Sequence, residues 1–410
     1  MINGNNMYIQ TAGMNIRKDN DDWRRAVDTV DAAETTILTE KTITENGTYT
    51  AAEDNADGYS KVTVDVSGGG SLSDDVVFYD YDGSVVASYS AADFANLSTM
   101  PANPSHDGLT AQGWNWSLAE AKSYVAAYGK LNIGQMYITS DGKTRFYYFI
   151  PKDNLTINLE FYLDTGAELN VDWGDGSEYT TWTDEDTSKS HTYQADGEYT
   201  VTISAVSGTY SLSHSWETDK TLRKVEIGSG VTSITALNQY AALTAISIPN
   251  TVLGISDNAF SNCSALCYIT IPSGVDMLCE GSFTSCSALT AISIPNSVNW
   301  FDTGALFKCY SLKAVFIPPA VTNLGTGTFS YCYALTSIII PSNITTIGST
   351  PFQDCHALTS ITFEPATPPE LDGELGIPTT CIIRVPQGSL SAYTSASNYP
   401  DPSLYIYEEY

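Results

Sequence analysis

Cys263, Cys286, Cys309, Cys332 and Cys355 follow one another at equal steps of 23 residues. The same step carries Pro249, Pro272, Pro295, Pro318 and Pro341, and Leu266, Leu289, Leu312, Leu335 and Leu358. It also carries Phe260, Phe283, Leu306, Phe329 and Phe352, and the pairs Ile246/Ile248, Ile269/Ile271, Ile292/Ile294, Val315/Ile317 and Ile338/Ile340. A single unit of this length has too little interior to bury a Phe, a Leu, a Cys and two Ile. The units must therefore stack and share one continuous core, as a solenoid. Within each unit a run such as Leu289 to Pro295 reads as a short strand with its apolar residues inward. The proline ends the strand because it has no N–H to give to a ladder. Strands of successive units then lie side by side in a parallel sheet. Val298 to Cys309 supplies the return path, with the Phe-position residue and the cysteine turned inward.

A ladder of cysteines invites a metal or disulfide reading, and geometry weighs against both. Parallel strands sit about 4.8 Å apart, so five stacked cysteines extend over roughly 19 Å and cannot converge on one zinc. Five is an odd number for pairing, and nothing in the repeat needs a bridge. The expectation is a buried, reduced thiol that packs as a small hydrophobe. Cys267, Cys279 and Cys381 fall outside this register and carry no signal of their own.

The unit as it stands at Ser287 to Val298, SALTAISIPNSV, with Ala259 to Cys263, AFSNC, resembles the leucine-rich repeat of the BspA type. The resemblance covers residues 222–364 and implies a leucine-rich-repeat solenoid. After Glu364 the repeat breaks. Residues 365–410 resemble the terminal unit of such arrays, with a strand at Cys381 to Val385, a short helix near Leu390 to Ala396, and the role of a cap over the last core layer.

Ahead of the repeats the chain reads as a series of small modules, which makes the whole multidomain and mainly β. In residues 1–35, Asp19 to Ala33 predicts an amphipathic N-terminal helix with Trp23, Val27 and Val30 on one face. That face either packs on its own chain or anchors the protein to a larger assembly. Residues 36–71 predict a small β module with turns at Asn46-Gly47 and Asp57-Gly58, then a Gly/Ser linker at Ser67 to Ser71. The string at Thr42 to Val66 resembles a short module of tail-associated proteins of phages of gut bacteria.

Residues 72–152 predict a hairpin at Asp82-Gly83, a helix capped by Ser117 and Glu120 and closed by Gly129, and a second hairpin at Asp141-Gly142 between Met136 to Thr139 and Arg145 to Ile150. Two hairpins around one helix suggest a β-grasp-like domain. Trp114 and Trp116 offer a sugar platform on paper, but buried packing is the stronger expectation. Residues 153–221 contain VDWGDGS at Val171 to Ser177 and HTYQADGEYTVTIS at His191 to Ser204. These resemble the PKD module, an immunoglobulin-like sandwich used as a spacer or adhesive unit in surface proteins. Trp173 and Tyr199 are expected in its core, with His191 hydrogen-bonded within the fold. Asp172 and Asp175, or Asp184 with Glu185 and Asp186, form an alternative calcium set, against which stands the usual solvation of carboxylates near turns.

A net charge of −29 with only 18 basic residues excludes nucleic acid and anionic membrane as partners, because both require a cationic face. No stretch approaches the length of a membrane span. Met1 to Asn20 is polar and lacks a charged start followed by an apolar core, so no signal peptide is expected there. His106, His191, His214 and His356 stand near no nucleophile or metal motif, and phosphate loops and hydrolase elbows are missing. The chain reads as no enzyme, with no cofactor and no metal site.

Binding is expected on the repeats. Outward strand positions carry mostly Thr, Ala and Ser, with Tyr268 and Phe316 as exceptions. Elsewhere, aromatics replace small or polar residues: Trp300 at the Gly254 position, Phe307 at Ser261, Tyr310 and Tyr333 at Ser264, and Tyr331 at Asn262. Together with Phe316 they form a candidate surface for sugars or a protein partner, with an oligomer contact or local packing as the other reading. The function that follows is a phage virion structural or adhesion protein, on a tail or capsid fibre, joined to other virion proteins through its N-terminus. Its projecting repeats would bind host-surface or mucus glycans or proteins, and it would form a homo-oligomer. The alternative is a secreted or wall-attached bacterial adhesin of the BspA kind at the cell surface.

Overall fold

The computed structural model describes residues 75–186, 188–213 and 222–410, and of residues 1–74 only five short strands. Residues 1–74 and 75–410 are two separate compact units. In the first, Val62–Asp65 pairs antiparallel with both Gly47–Tyr49 and Asn15–Lys18. The expected small β module thus takes one strand from upstream of its sequence boundary. The predicted helix at Asp19 to Ala33, with Trp23, Val27 and Val30, lies outside the described residues.

Residues 75–410 are mainly β. The repeats stack as their period requires, in two parallel ladders. One holds the strands of the Leu-x-x-Ile-x-Ile-Pro runs, where Tyr268 faces Ala291 and Ser337 faces Ser360. The other holds two-residue strands, Met277–Leu278, Trp300–Phe301, Asn323–Leu324, Thr346–Ile347 and Glu370–Leu371. The prolines end the first ladder as expected and also start the turn to the second. The carbonyls of Pro249, Pro272, Pro295, Pro318 and Pro341 accept from the N–H three residues on. Phe260 stacks on Phe283 at 5.4 Å, and Phe329 on Phe352 at 5.7 Å, inside the core.

One unit departs from the pattern. Val315 and Ile317 are buried as predicted, but their segment forms no ladder strand, and the parallel sheet is interrupted between Ala291–Ser293 and Ser337–Ile340. The Ile317 carbonyl instead accepts a hydrogen bond from the Tyr124 hydroxyl, 3.1 Å away.

The strand Thr144–Ile150 corrects a second expectation. It makes no hairpin with Leu131–Thr139. It pairs antiparallel with Gly197–Ser207 on one side and Leu222–Glu226 on the other. Phe146, Tyr148 and Ile150 alternate inward and are fully or almost fully buried, so this strand has a face to bury and belongs with the sandwich core. It sits inside a six-stranded sheet ordered Thr180–Thr183, Glu168–Asp172, Gly197–Ser207, Thr144–Ile150, Leu222–Glu226, Ala245–Ser247. A five-stranded sheet packs against it, with Phe161 set on Trp182 at 5.1 Å. It runs Ser188–Thr192, Thr156–Leu163, Tyr210–Ser213, Val231–Ala236, Gly254–Ile255. The last two strands of each sheet are also the first strands of the solenoid. One core therefore runs from Phe146 through the repeats to Tyr393.

Residues 75–139 build a four-stranded mixed sheet ordered Val85–Tyr89, Val76–Tyr79, Leu131–Thr139, Leu109–Trp114. Its antiparallel second pair is Leu109–Trp114 with Leu131–Thr139, and the helix Leu118–Tyr128 lies between those two strands in sequence. The expected hairpin, helix, hairpin order is thus replaced. Ser117 and Glu120 do form the capping box, and Gly129 closes the helix in left-handed backbone. At the other end, Ile382–Val385, the helix Leu390–Ser395 and Ile406–Glu409 continue beyond the last repeat, and Tyr393 and Tyr399 cover Phe363. Among the described residues no helix is long and apolar enough to cross a membrane.

Candidate binding surface

The outward face of the first ladder is covered by residues 75–139. Tyr79 stacks on Tyr268 at 4.7 Å. Asn115 is buried and fully bonded: Nδ2 donates to the Ile271 and Ser293 carbonyls, and Oδ1 accepts from Gly134 N–H. Trp116 Nε1 donates to the Ile294 carbonyl at 2.9 Å, and the Ser293 hydroxyl to that of Asn132. Phe316 packs into the small module's own core. The two aromatic exceptions on the ladder are therefore docking residues, and Phe316 is not available to a ligand. Trp116 is buried and Trp114 packs on Phe78 at 4.9 Å, so neither is a sugar platform.

Phe307, Tyr310, Tyr331 and Tyr333 sit on the turn that follows the second ladder. Here the backbone enters the left-handed region at the same place in six successive units, at Gln239, Asn262, Ser285, Lys308, Tyr331 and Asp354. The N–H of each of the first five reaches the carbonyl of the next unit's turn, as from Lys308 to Ser330 at 2.9 Å and from Tyr331 to Gln353 at 2.7 Å. These bonds hold equivalent residues one above another. Tyr310 and Tyr333 accordingly stack at 4.8 Å with ring planes 10° apart, and Tyr333 stacks on His356 at 5.4 Å and 7°. Phe307 meets Tyr331 edge to face at 5.3 Å, and Tyr331 meets Tyr333 at 6.3 Å. Lys308 Nζ lies over both Phe307 and Tyr331, at 5.1 and 5.7 Å. Tyr310, Tyr333 and His356 are exposed.

Of the six candidate residues, Phe307, Tyr310, Tyr331 and Tyr333 come together in this strip. Trp300 is exposed but stands on the second ladder beside Met277. Lys308 and His356 were missed, although His356 is one step of the period beyond Tyr333 and Lys308 precedes a ladder cysteine. The Tyr333 phenol is held above its ordinary pKa, first by desolvation and then by Tyr310, Asp354 and Tyr331. It stays a protonated donor at neutral pH.

The cysteine ladder has a more specific role than filling space. Each thiol donates to a carbonyl of the preceding unit: Cys263 to Leu237, Cys286 to Phe260, Cys309 to Phe283, Cys332 to Leu306 and Cys355 to Phe329, at 3.1 to 3.4 Å. All eight cysteines are free, and burial raises the pKa of each ladder thiol. The carboxylates weighed for calcium are engaged within the fold. Asp172 accepts from Gly174 N–H, Asp175 from Ser177 N–H and His191, Asp184 from Gly166 N–H, and Asp186 from Thr183 N–H with Lys189 beside it. Among the described residues no three such side chains converge on a point. His191 also stacks on Trp173 at 4.7 Å.

Residues 232–359 match the family described as the BspA type leucine rich repeat region, in six copies. No curated protein matches the chain. Among solved structures the chain is similar to the Treponema pallidum leucine-rich repeat protein, at 21% identity over 45% of this chain and 90% of that one, with a TM-score of 0.30. It is also similar to a leucine-rich cell surface protein of Faecalibacterium prausnitzii, at 24% identity over 44% and 66% and a TM-score of 0.30. The pneumococcal vaccine antigen PcpA is similar at 17% identity over 51% and 46%, with a TM-score of 0.35.

Proposed function

We propose that this chain is a non-catalytic adhesion protein of a bacterial surface, whose BspA-type repeats hold host-surface or mucus glycans on the strip of Phe307, Lys308, Tyr310, Tyr331, Tyr333 and His356. The observation that carries this reading is Tyr331. A bulky residue in left-handed backbone is strained, and other units place Asn262, Ser285 and Asp354 there instead. A site that keeps Tyr against that cost, with its ring joined to an exposed aromatic strip, is explained by binding.

The match to the BspA-type family supports the bacterial-surface alternative over a place on a virion, which rests on the sequence of Thr42 to Val66 alone. The non-catalytic reading is supported by the buried thiols, whose raised pKa values deprive them of nucleophilic thiolate. In this proposal the sandwich keeps its PKD-like spacer role, the module at 75–139 is a β-grasp variant that seats it on the repeats, and residues 1–35 provide attachment. The test is adhesion of the full chain to a mucin-coated surface. The double variant Tyr310→Ala/Tyr333→Ala should lose most of the attachment with its melting curve little changed. Undiminished adhesion by a folded double variant would refute the role of the strip.

A further inference from the structure

The strip is built for a particular kind of saccharide. Neutral sugars stack their C–H faces on open aromatic faces, and the centre of the strip hides such faces: Tyr333 is covered on one side by Tyr310 and on the other by His356, both nearly parallel to it. Tyr333 is left with only its ring edge and phenolic hydroxyl open, and Tyr310, stacked on one side alone, adds a second exposed edge and hydroxyl. Ring edges carry the positive part of the aromatic quadrupole, and hydroxyls donate. Both favour an anion.

Charge points the same way. Between residues 225 and 383 the only cationic side chains are Lys308 and Lys313, both in the unit that contributes Tyr310. The Lys308 ammonium rests on the Phe307 and Tyr331 rings and makes no ion pair among the described residues. Like Tyr331, Lys308 occupies the left-handed position that Asn262, Ser285 and Asp354 fill in other units. The two adjacent units that depart from small polar residues at this strained place thus supply a cation and an aromatic to one spot. Asp354, 3.9 Å from His356, is the acid at the far end of the strip.

Size and total charge narrow the ligand further. Three stacked rings offer far less than the roughly 800 Å² per side of a stable protein interface. A net charge of −29 repels an extended polyanion but is screened over about 10 Å of saline, leaving a single terminal anion to the local cation. We propose that the strip binds a glycan chain ending in a carboxylated sugar, the carboxylate lying against Lys308 and the ring edges of Tyr310 and Tyr333. This rests on the adhesive reading of the strip.

The probes are sialyllactose and lactose, titrated against the full chain, with Lys308→Asn as the variant because the repeat itself uses Asn at this place. Sialyllactose should bind about tenfold more tightly than lactose, lose that advantage in Lys308→Asn, and weaken as salt is raised. Equal binding of the two sugars, or a preference that survives Lys308→Asn in a folded protein, overturns the proposal. A glutamate-rich peptide that displaces the chain from mucin better than sialyllactose does would also overturn it, in favour of an acidic peptide. If Tyr310→Ala/Tyr333→Ala abolishes mucin adhesion while the two sugars bind alike, the strip remains the adhesive site and only the carboxylate is wrong. If neither variant affects anything, both readings fall.

Discussion

Cys309 shows how much one position in a repeat can carry. Its side chain fills core space, and its thiol adds a second hydrogen bond to the Phe283 carbonyl, which also accepts from Cys286 N–H, so replacement by a residue without a donor loses a bond between units while the carbonyl keeps its backbone partner. Tyr331 is the opposite case, a residue kept at a cost. Tyr331→Asn should raise stability by about 0.5 kcal/mol, the relief of left-handed strain exceeding the loss of half-buried ring contacts, while adhesion to mucin falls. Urea titration reads the first effect, and a lower midpoint would show that Tyr331 is structural. In the sandwich, burial opposes the charge on Asp175, but hydrogen bonds from Ser177 and His191 outweigh it and hold the carboxyl at about 2. A depressed folded-state pKa stabilises above the unfolded value near 4 and loses that contribution as pH falls toward 2. Asp175→Asn should thus lower the urea midpoint by a constant amount at neutral pH, with the gap to the parent closing between about pH 4 and 2. A gap that persists at pH 2 would mean that the charge on Asp175 is irrelevant.

Two elements took places that their local sequence does not reveal. Thr144–Ile150 alternates as any strand does, and its period says which face is buried without saying against what; seven residues fit a hairpin or a sandwich equally well. Leu131–Thr139 approaches the repeats so closely that a Cβ on Gly134 would fall 2.1 Å from Thr270 Oγ1 and 2.5 Å from the Tyr268 hydroxyl. Gly134→Ala should therefore lift the small module off the ladder, at a cost of roughly 1–3 kcal/mol. Limited proteolysis within residues 75–139 should speed up while the strands of the repeats remain protected, and adding Thr270→Ala should restore part of the resistance. Unchanged cleavage in Gly134→Ala would argue against close docking. Small outward residues such as Ala291 and Ser293 read as solvent-facing in the sequence. The same residue types permit the close approach of another backbone, and only the docked module tells the two apart.

Over the whole molecule, the sandwich, the repeats and the C-terminal segment share one core, with the sandwich closing one end of the solenoid and residues 365–410 the other. Leu169 lies in the sandwich, fully buried, three strands away from the nearest repeat strand in its sheet. Leu169→Ala should cost about 2–5 kcal/mol and, because no boundary divides the core, should lower hydrogen-exchange protection in the early repeats as well as in the sandwich. Loss confined to the sandwich would show that the two unfold separately.

The sequence alone determined the solenoid, its register, the buried thiols and the aromatic substitutions at Phe307, Tyr310, Tyr331 and Tyr333, because a repeat states its own spacing and each position is read many times over. The tertiary structure decided which of those aromatics meet, that Phe316 is covered while Trp300 stands apart, and that the sandwich strands are also solenoid strands. These depend on contacts between segments that do not repeat, and for such contacts a period carries no information.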